Sequence, residues 1–471
     1  MNEQWPVYLT GGLILTLTLS ALTLFRRRFD PFAPVWLFLI GFFQVYVVQA
    51  LSYNQWAIFV HGEQIVESAN WRAFWAICLF LIAYQFGPGR WVARKMPRAP
   101  VHWSMPALSV VVPSMLTWGF FCSVVMIVSG TNEETSSGGH LLRQFYFMML
   151  GAGVLLMVTG SRREKPAPAI FWAGVGVCLT FVALWMFQGK RSPSLIGILA
   201  CACAYYGPQF KRPPMAILVV LAVVGSLVVA VSLGWRNQRL YERTATGFVQ
   251  FLADFDPAST LVNLNLAEKD NPKANRKEFR SKETEEYGGF LLMFTTVPER
   301  SEYDYGANYL RLVTSFIPRI FWPDKPLPGR DKWIAAWMAG SEFKRDETFT
   351  GPAIGILGAT QLNGGAVATA IVISFLGIFL RTGYEYYRRY QWTCWAQAWW
   401  ALTYYNAWLM TVNDDPFVWF YYIYGSSILP PMAFLWVVNR FAETRTEAQQ
   451  AKWVSAWQKN AKTNTTASQP A

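Results

Sequence analysis

Apolar runs of roughly 18–22 residues recur along this 471-residue chain, and a helix needs that length to cross the hydrocarbon core of a bilayer. They fall at about 6–25, 34–52, 71–88, 105–129, 145–160, 168–188, 194–208 and 215–235. After a long polar interval they resume at about 363–380, 393–411 and 417–438. The chain therefore reads as an all-α polytopic membrane protein of about eleven transmembrane helices. Counting soluble domains from length does not apply to it. Its 23 tryptophans fit the same reading, because indole rings anchor helices at the membrane interface.

The net charge of +12 does not point to nucleic acid, because most of the cations sit at the ends of the apolar runs, where they orient helices. All six cysteines lie inside apolar segments, without metal-site spacing and without a polar loop in which to form a disulfide. The three histidines, His61, His102 and His140, are scattered. No metal and no cofactor is expected.

The first apolar run is followed, not preceded, by positive charge (Arg26–Arg28), so it reads as a retained anchor rather than a cleaved signal peptide. Alternating sides from an outside N-terminus places the C-terminus in the cytoplasm. Arg90, Arg94, Lys95 and Arg98, then Arg162 and Arg163, then Arg388 and Arg389 all fall on inside loops. The outside loops carry Glu63, Glu67, Glu133, Glu134, Asp414 and Asp415 instead, as the positive-inside rule requires. The hairpin GKRSP (189–193) breaks the rule with Lys190 and Arg191. Either the two spans around it are drawn wrongly, or a partner holds those charges at the outer face.

Four regions follow: helices one to eight (1–235), a large periplasmic loop (236–362), helices nine to eleven (363–440) and a polar cytoplasmic tail (441–471). A loop of that length is usually either functional or disordered. Residues 247–266 have helical spacing of apolar residues and suit the membrane surface, and 267–287 is dense in balanced charge. Further on, FIPRIFWPDKP (316–326) holds three prolines, so it is neither helix nor central strand but a stiff strap that displays Arg319 and Lys325.

The run YGANYLRLVTSFIPRIFWPDKP, followed by PAIGILGATQLNGG (352–365), resembles the oligosaccharide repeat-unit polymerases, the O-antigen polymerase (Wzy-type) family. The resemblance rests on Pro318-Arg319, Trp322-Pro323 and Lys325-Pro326, then Gly355, Gly358 and Gly364-Gly365. It covers about sixty residues, and the charged insert 267–287 departs from the pattern. The resemblance implies an enzyme of the bacterial inner membrane that joins undecaprenyl-diphosphate-linked oligosaccharides on the periplasmic face. Its partners would be that lipid-linked substrate, the bilayer, a chain-length regulator and a flippase.

Glycosyl transfer from a lipid diphosphate builds negative charge on the leaving group, and fixed cations stabilise it. Arginine suits phosphate because its planar fork donates two parallel hydrogen bonds. Arg319, Lys325 and Asp324 are the expected catalytic residues, with Arg191, Arg236, Arg239, Arg311, Trp322 and Tyr305 binding substrate. The acceptor's base is open among Asp324, Glu302, Asp304 and the Asp414-Asp415 pair. Arg236 and Arg239 also suit simple lipid-phosphate contacts at a span end, and the prolines of the strap also suit a mere chain break. Two other functions share these features: an O-antigen ligase-type transferase and a transporter or flippase of lipid-linked sugars. A transporter should show broken helices near the midplane.

Overall fold

The computed structural model describes residues 4–25, 29–128, 147–162, 166–237, 241–242, 244–256, 286–307, 309, 322, 354–412 and 428–442. Every regular element among them is a helix. The first is α1 (Trp5–Thr23). Next, α2 (Pro34–Phe43) runs through a π-helical turn at Gln44–Gln49 into α3 (Ala50–His61). Gly62, at φ +86°, reverses the chain into α4 (Glu63–Phe86). A left-handed backbone of that kind costs glycine little. Then come α5 (Gly89–Lys95), α6 (Met105–Val128), α7 (Met148–Gly160), α8 (Pro168–Phe187) and α9 (Arg191–Gln209). They are followed by α10 (Met215–Asn237), α11 (Ala245–Ala253), α12 (Glu286–Thr296) and α13 (Gly355–Tyr390). The last three are α14 (Cys394–Thr403), α15 (Asn406–Val412) and α16 (Leu429–Ala442).

Seven helices among the described residues are long and apolar enough to cross a membrane. They are α1, Pro34–Ser52, α4, most of α6, α8, most of α10 and α13. The protein is thus a polytopic α-helical membrane protein, and the difference from eleven expected spans lies at four of the expected runs. Helix α7 is apolar but only 13 residues long. Helix α9 opens on Arg-Ser-Pro-Ser, which lowers its hydropathy. The run at 393–411 breaks into α14 and α15 at Tyr404–Tyr405. Of the run at 417–438, only the part in α16 is described.

Helices in lipid gain little from burying apolar surface against one another, so close backbone approach and hydrogen bonds must join them. The α7–α8 pair shows this. A Cβ on Gly174 would lie 2.7 Å from Met157 N and 2.8 Å from Gly153 O, and one on Gly153 would lie 2.5 Å from Cys178 Sγ. Neither helix could come this near with a larger residue at the seam. Aromatic stacking joins α2 to α4, with the Phe38 and Phe80 rings 3.7 Å apart and nearly parallel.

Hydrogen bonds gather the basic segments at one end of the bundle. There Tyr384 Oη donates to Asp30 Oδ2 (2.5 Å), Ser104 N donates to Asn439 Oδ1 (2.7 Å), and Trp103 Nε1 donates to Thr159 Oγ1 (3.3 Å). Arg381 pairs with Glu385 at 2.6 Å, and Arg90 reaches the same carboxylate at 3.6 Å. At the opposite end lie the Gly62 turn, the α8–α9 hairpin and the end of α10. The GKRSP segment turns between α8 and α9: Gly189 has φ +69°, and Arg191 is the first residue of α9.

Helix α11 packs beside the end of α10, where Trp235, Phe248 and Phe251 cluster. Two other helices of the long polar interval do more than cover the bundle. Residues 286–296 and 354–363 are largely buried against α2, α3 and α4.

Candidate functional site

The site is built around a break in α13. Gly364 (φ 157°, ψ 25°) and Gly365 (φ 62°, ψ −130°) leave the helical region, so the long helix is two helices joined by a glycine joint. The second conformation is one that a side chain resists. It also lies against the Tyr303 hydroxyl, 2.9 Å from where a Cβ would sit. Breaking a helix frees backbone groups that must find partners at membrane depth. One is met from outside the helix: Asp304 N donates to Leu362 O at 2.8 Å. Asp304 itself is buried there, on the segment that carries Tyr303 and Tyr305.

Arg72 crosses to this joint from α4. Its Nη1 lies 3.3 Å from Gln361 Oε1, before the break, and 3.3 Å from Thr369 Oγ1, after it. Gln361 is fixed in turn by donating from Nε2 to Val297 O (2.8 Å), and Thr369 shares a 2.9 Å contact with the Thr360 hydroxyl. The Arg72 guanidinium also sits over the Phe294 ring of α12, 5.1 Å from its centroid. Among the described residues no carboxylate pairs with it, and its Nε and Nη2 make no hydrogen bond.

The position is unusual for a charge. Arg72 lies about 14 Å along the axis of a membrane span from Glu63. An ionisable residue inside a span is costly and marks a functional path by default.

A cavity of ≈ 460 Å³ opens beside it, lined by Arg72, Ser68, Trp71, Trp75 and Thr369 and by the small residues Ala366 and Ala370. One wall is cationic, one is aromatic, and the floor is the small-residue segment just after the break. Such a cavity can take a ligand that combines an anion with sugar rings or a lipid stem.

Helix α12 forms the deeper support. Glu286 is buried and accepts from Gln49 Nε2 at 2.6 Å, and Tyr287 N donates to Gln49 Oε1 at 3.0 Å. Tyr287 Oη donates to Asn70 Oδ1 at 2.8 Å, and burial raises its pKa, so it stays a neutral donor. Leu357 N donates to Tyr46 Oη at 3.1 Å. Arg72 is therefore held by a frame of the π-helical turn Gln44–Gln49, α4, α12 and α13.

Of the residues expected from sequence, Tyr305 follows Tyr303 and Asp304 at the joint and is largely exposed, its ring 5.9 Å from that of Tyr303. Arg191 and Arg236 lie elsewhere, Arg191 as the first residue of α9 and Arg236 near the end of α10, beside the Gly189 turn. The Gly189 turn there packs so closely on α10 that a Cβ would meet Arg236 Cβ at 2.9 Å. Trp322 is exposed. Arg319, Lys325, Asp324, Arg239, Arg311, Asp414 and Asp415 lie outside the described residues.

Sequence reasoning missed Arg72, Gln361, Thr369, Trp71 and Trp75. The signal was a lone arginine in the apolar run from Glu63 to Phe86, a run that drawing the span from residue 71 cut short. Among the described residues no group of three His, Cys, Asp or Glu could hold a metal ion. No protein-family model, curated protein or solved structure matches this chain.

Proposed function

We propose that this protein polymerises lipid-linked oligosaccharide repeat units into a surface polysaccharide at the periplasmic face of the bacterial inner membrane. The observation that carries this reading is Arg72, an arginine without a carboxylate partner among the described residues, set inside a span and bound to both sides of the Gly364–Gly365 break. That break is the end of PAIGILGATQLNGG, one of the two segments that resemble the polymerase family. The positive-inside rule supports the orientation, with the basic end of the bundle in the cytoplasm and the Arg72 cavity toward the periplasm. We extend the same reading to eleven spans and an outside N-terminus.

In this mechanism the undecaprenyl diphosphate of the donor lies against the guanidinium groups. The bond between the anomeric carbon and the diphosphate oxygen breaks, and the acceptor sugar's hydroxyl oxygen forms the new bond to that carbon. Arg72, with Arg319 and Lys325 of the strap, stabilises the charge that develops on the departing diphosphate. A carboxylate, Asp324 or one of Glu302, Asp304 and the Asp414-Asp415 pair, takes the acceptor proton. Trp71 and Trp75 offer ring faces to the sugars, and Arg191 and Arg236, at the ends of α9 and α10, meet the lipid headgroup. A ligase-type transferase would use the same donor and differ only in acceptor.

One observation favours a second reading. Many transporters build their sites from broken helices, and α13 is a broken helix. Deleting the gene in its host separates the readings. A polymerase deletion collapses the surface-glycan ladder to single repeat units, whereas loss of all exported glycan identifies a transporter. An unchanged ladder refutes both.

A further inference from the structure

A second cavity, of ≈ 530 Å³, lies at the basic end of the bundle, where the end of α7, the start of α8 and the end of α9 meet. Its polar lining is Arg162, Lys211, Ser161 and Gln209, and its apolar wall is Phe171 and Tyr205, whose rings are 5.5 Å apart. Helix α9 stops at Phe210, which takes a left-handed backbone (φ 54°) and so brings the following Lys211 to the rim.

Arg162 is the unusual member. Its guanidinium lies 5.6 Å over the Trp103 ring, and its Nε and Nη2 atoms are buried without a hydrogen-bond partner among the described residues. These two nitrogens are enclosed by the protein itself, and the cavity is instead lined by a pair of basic side chains, Arg162 and Lys211. The amino end of α8, capped by proline at its first position, adds a favourable field for negative charge at the same spot.

We propose that this cavity binds a phosphate group presented by an anionic lipid of the adjoining leaflet. The phosphate oxygens accept from Arg162 and Lys211, and the glycerol and acyl stem lie along Phe171 and Tyr205. Lipid is favoured over free phosphate because the wall is aromatic and the neighbouring face of α8 presents exposed apolar residues, Trp172 and Leu179, as a lipid-facing helix does. Basic pockets between helices at a membrane's cytoplasmic side recognise anionic headgroups by this chemistry.

The site is separate from the Arg72 cavity, and its test does not depend on the proposed polymerase activity. The full-length protein, purified in neutral detergent, is titrated with phosphatidylglycerol, with phosphatidylcholine and with inorganic phosphate, and bound lipid is counted by native mass spectrometry. We expect phosphatidylglycerol to bind at least about fivefold better than phosphatidylcholine, and Arg162→Gln and Lys211→Gln each to lower that retention by about fivefold. Arg94→Gln removes an exposed cation of the same end outside the cavity and should leave retention unchanged. Because Arg162 also stacks on Trp103, the rim variant Lys211→Gln keeps the test valid if Arg162→Gln misfolds. Equal retention by Lys211→Gln and the unaltered protein, or an equal loss with Arg94→Gln, overturns the site. Displacement of the lipid by millimolar inorganic phosphate shows that a soluble phosphate compound is the ligand and overturns the lipid assignment.

Discussion

Arg72 Nη1 lies 3.3 Å from Thr369 Oγ1, and this contact ties a membrane span to the far side of a broken helix. The same nitrogen reaches Gln361 on the near side, so one cation bridges both halves of α13. A charge placed in this way does two things. It ties the two sides of the break through the Gln361 and Thr369 side chains, and it leaves its other nitrogens for a ligand in the cavity bounded by Trp71 and Trp75.

Replacing Arg72 should abolish glycan assembly without removing the protein from the membrane. A single preorganised donor to a developing charge is typically worth about 100-fold in rate. We expect Arg72→Gln to lose at least that much in a lipid-linked repeat-unit incorporation assay. Arg72→Lys should recover little, because a point charge cannot span Gln361, Thr369 and an anion together. Unchanged incorporation by Arg72→Gln would remove the cavity from the reaction.

The glycine joint should resist substitution. Gly365→Ala places a methyl group 2.9 Å from Tyr303 Oη and forces alanine into a sparsely populated backbone region, a cost of about 1–3 kcal/mol. The purified protein should melt at a lower temperature. Adding Tyr303→Phe should restore part of the loss, since it removes the clashing oxygen but not the backbone strain. No recovery would mean that the strain alone sets the cost.

Glu385 should matter more than an ordinary surface carboxylate. It pairs with Arg381, which is only 8% exposed and also lies 5.2 Å over the Tyr84 ring. Glu385→Gln leaves a buried cation without its partner. The expected loss is about 2 kcal/mol, below the roughly 3–5 kcal/mol of a fully enclosed pair because Glu385 is partly solvated. Combining it with Arg381→Met should cost less than Glu385→Gln alone, as measured by thermal unfolding.

Acid should weaken the basic end through His102. Burial, with Arg162 nearby, lowers its pKa from 6.5 to about 4, so the folded protein holds it neutral. The unfolded chain takes up a proton below about pH 6.5, which the folded chain refuses until about pH 4. Stability therefore falls as pH drops through that window and is unaffected above it. Melting temperatures recorded between pH 7.5 and 4.5 should show this fall, and His102→Gln should flatten it. An equal slope in the variant would assign the acid sensitivity to other groups.

Much of this architecture is legible residue by residue. The helices α1, α6, α8 and α10 follow from apolar runs of the right length, and membrane insertion is a property of each segment's own composition. The glycine pair at 364–365 also stands out from sequence, because turn chemistry is a local feature. The lengths of α7 and α13, the break at Tyr404–Tyr405 and the burial of 286–296 are not local. They depend on how closely helices approach, as at Gly153 and Gly174, and on hydrogen bonds between residues hundreds of positions apart. Arg72 illustrates the division. Its own segment marks it only as a charge near the start of an apolar run. Folding makes it the bridge across the break in α13, because the groups that hold it, Gln361 and Thr369, meet it only once α4 packs against α13.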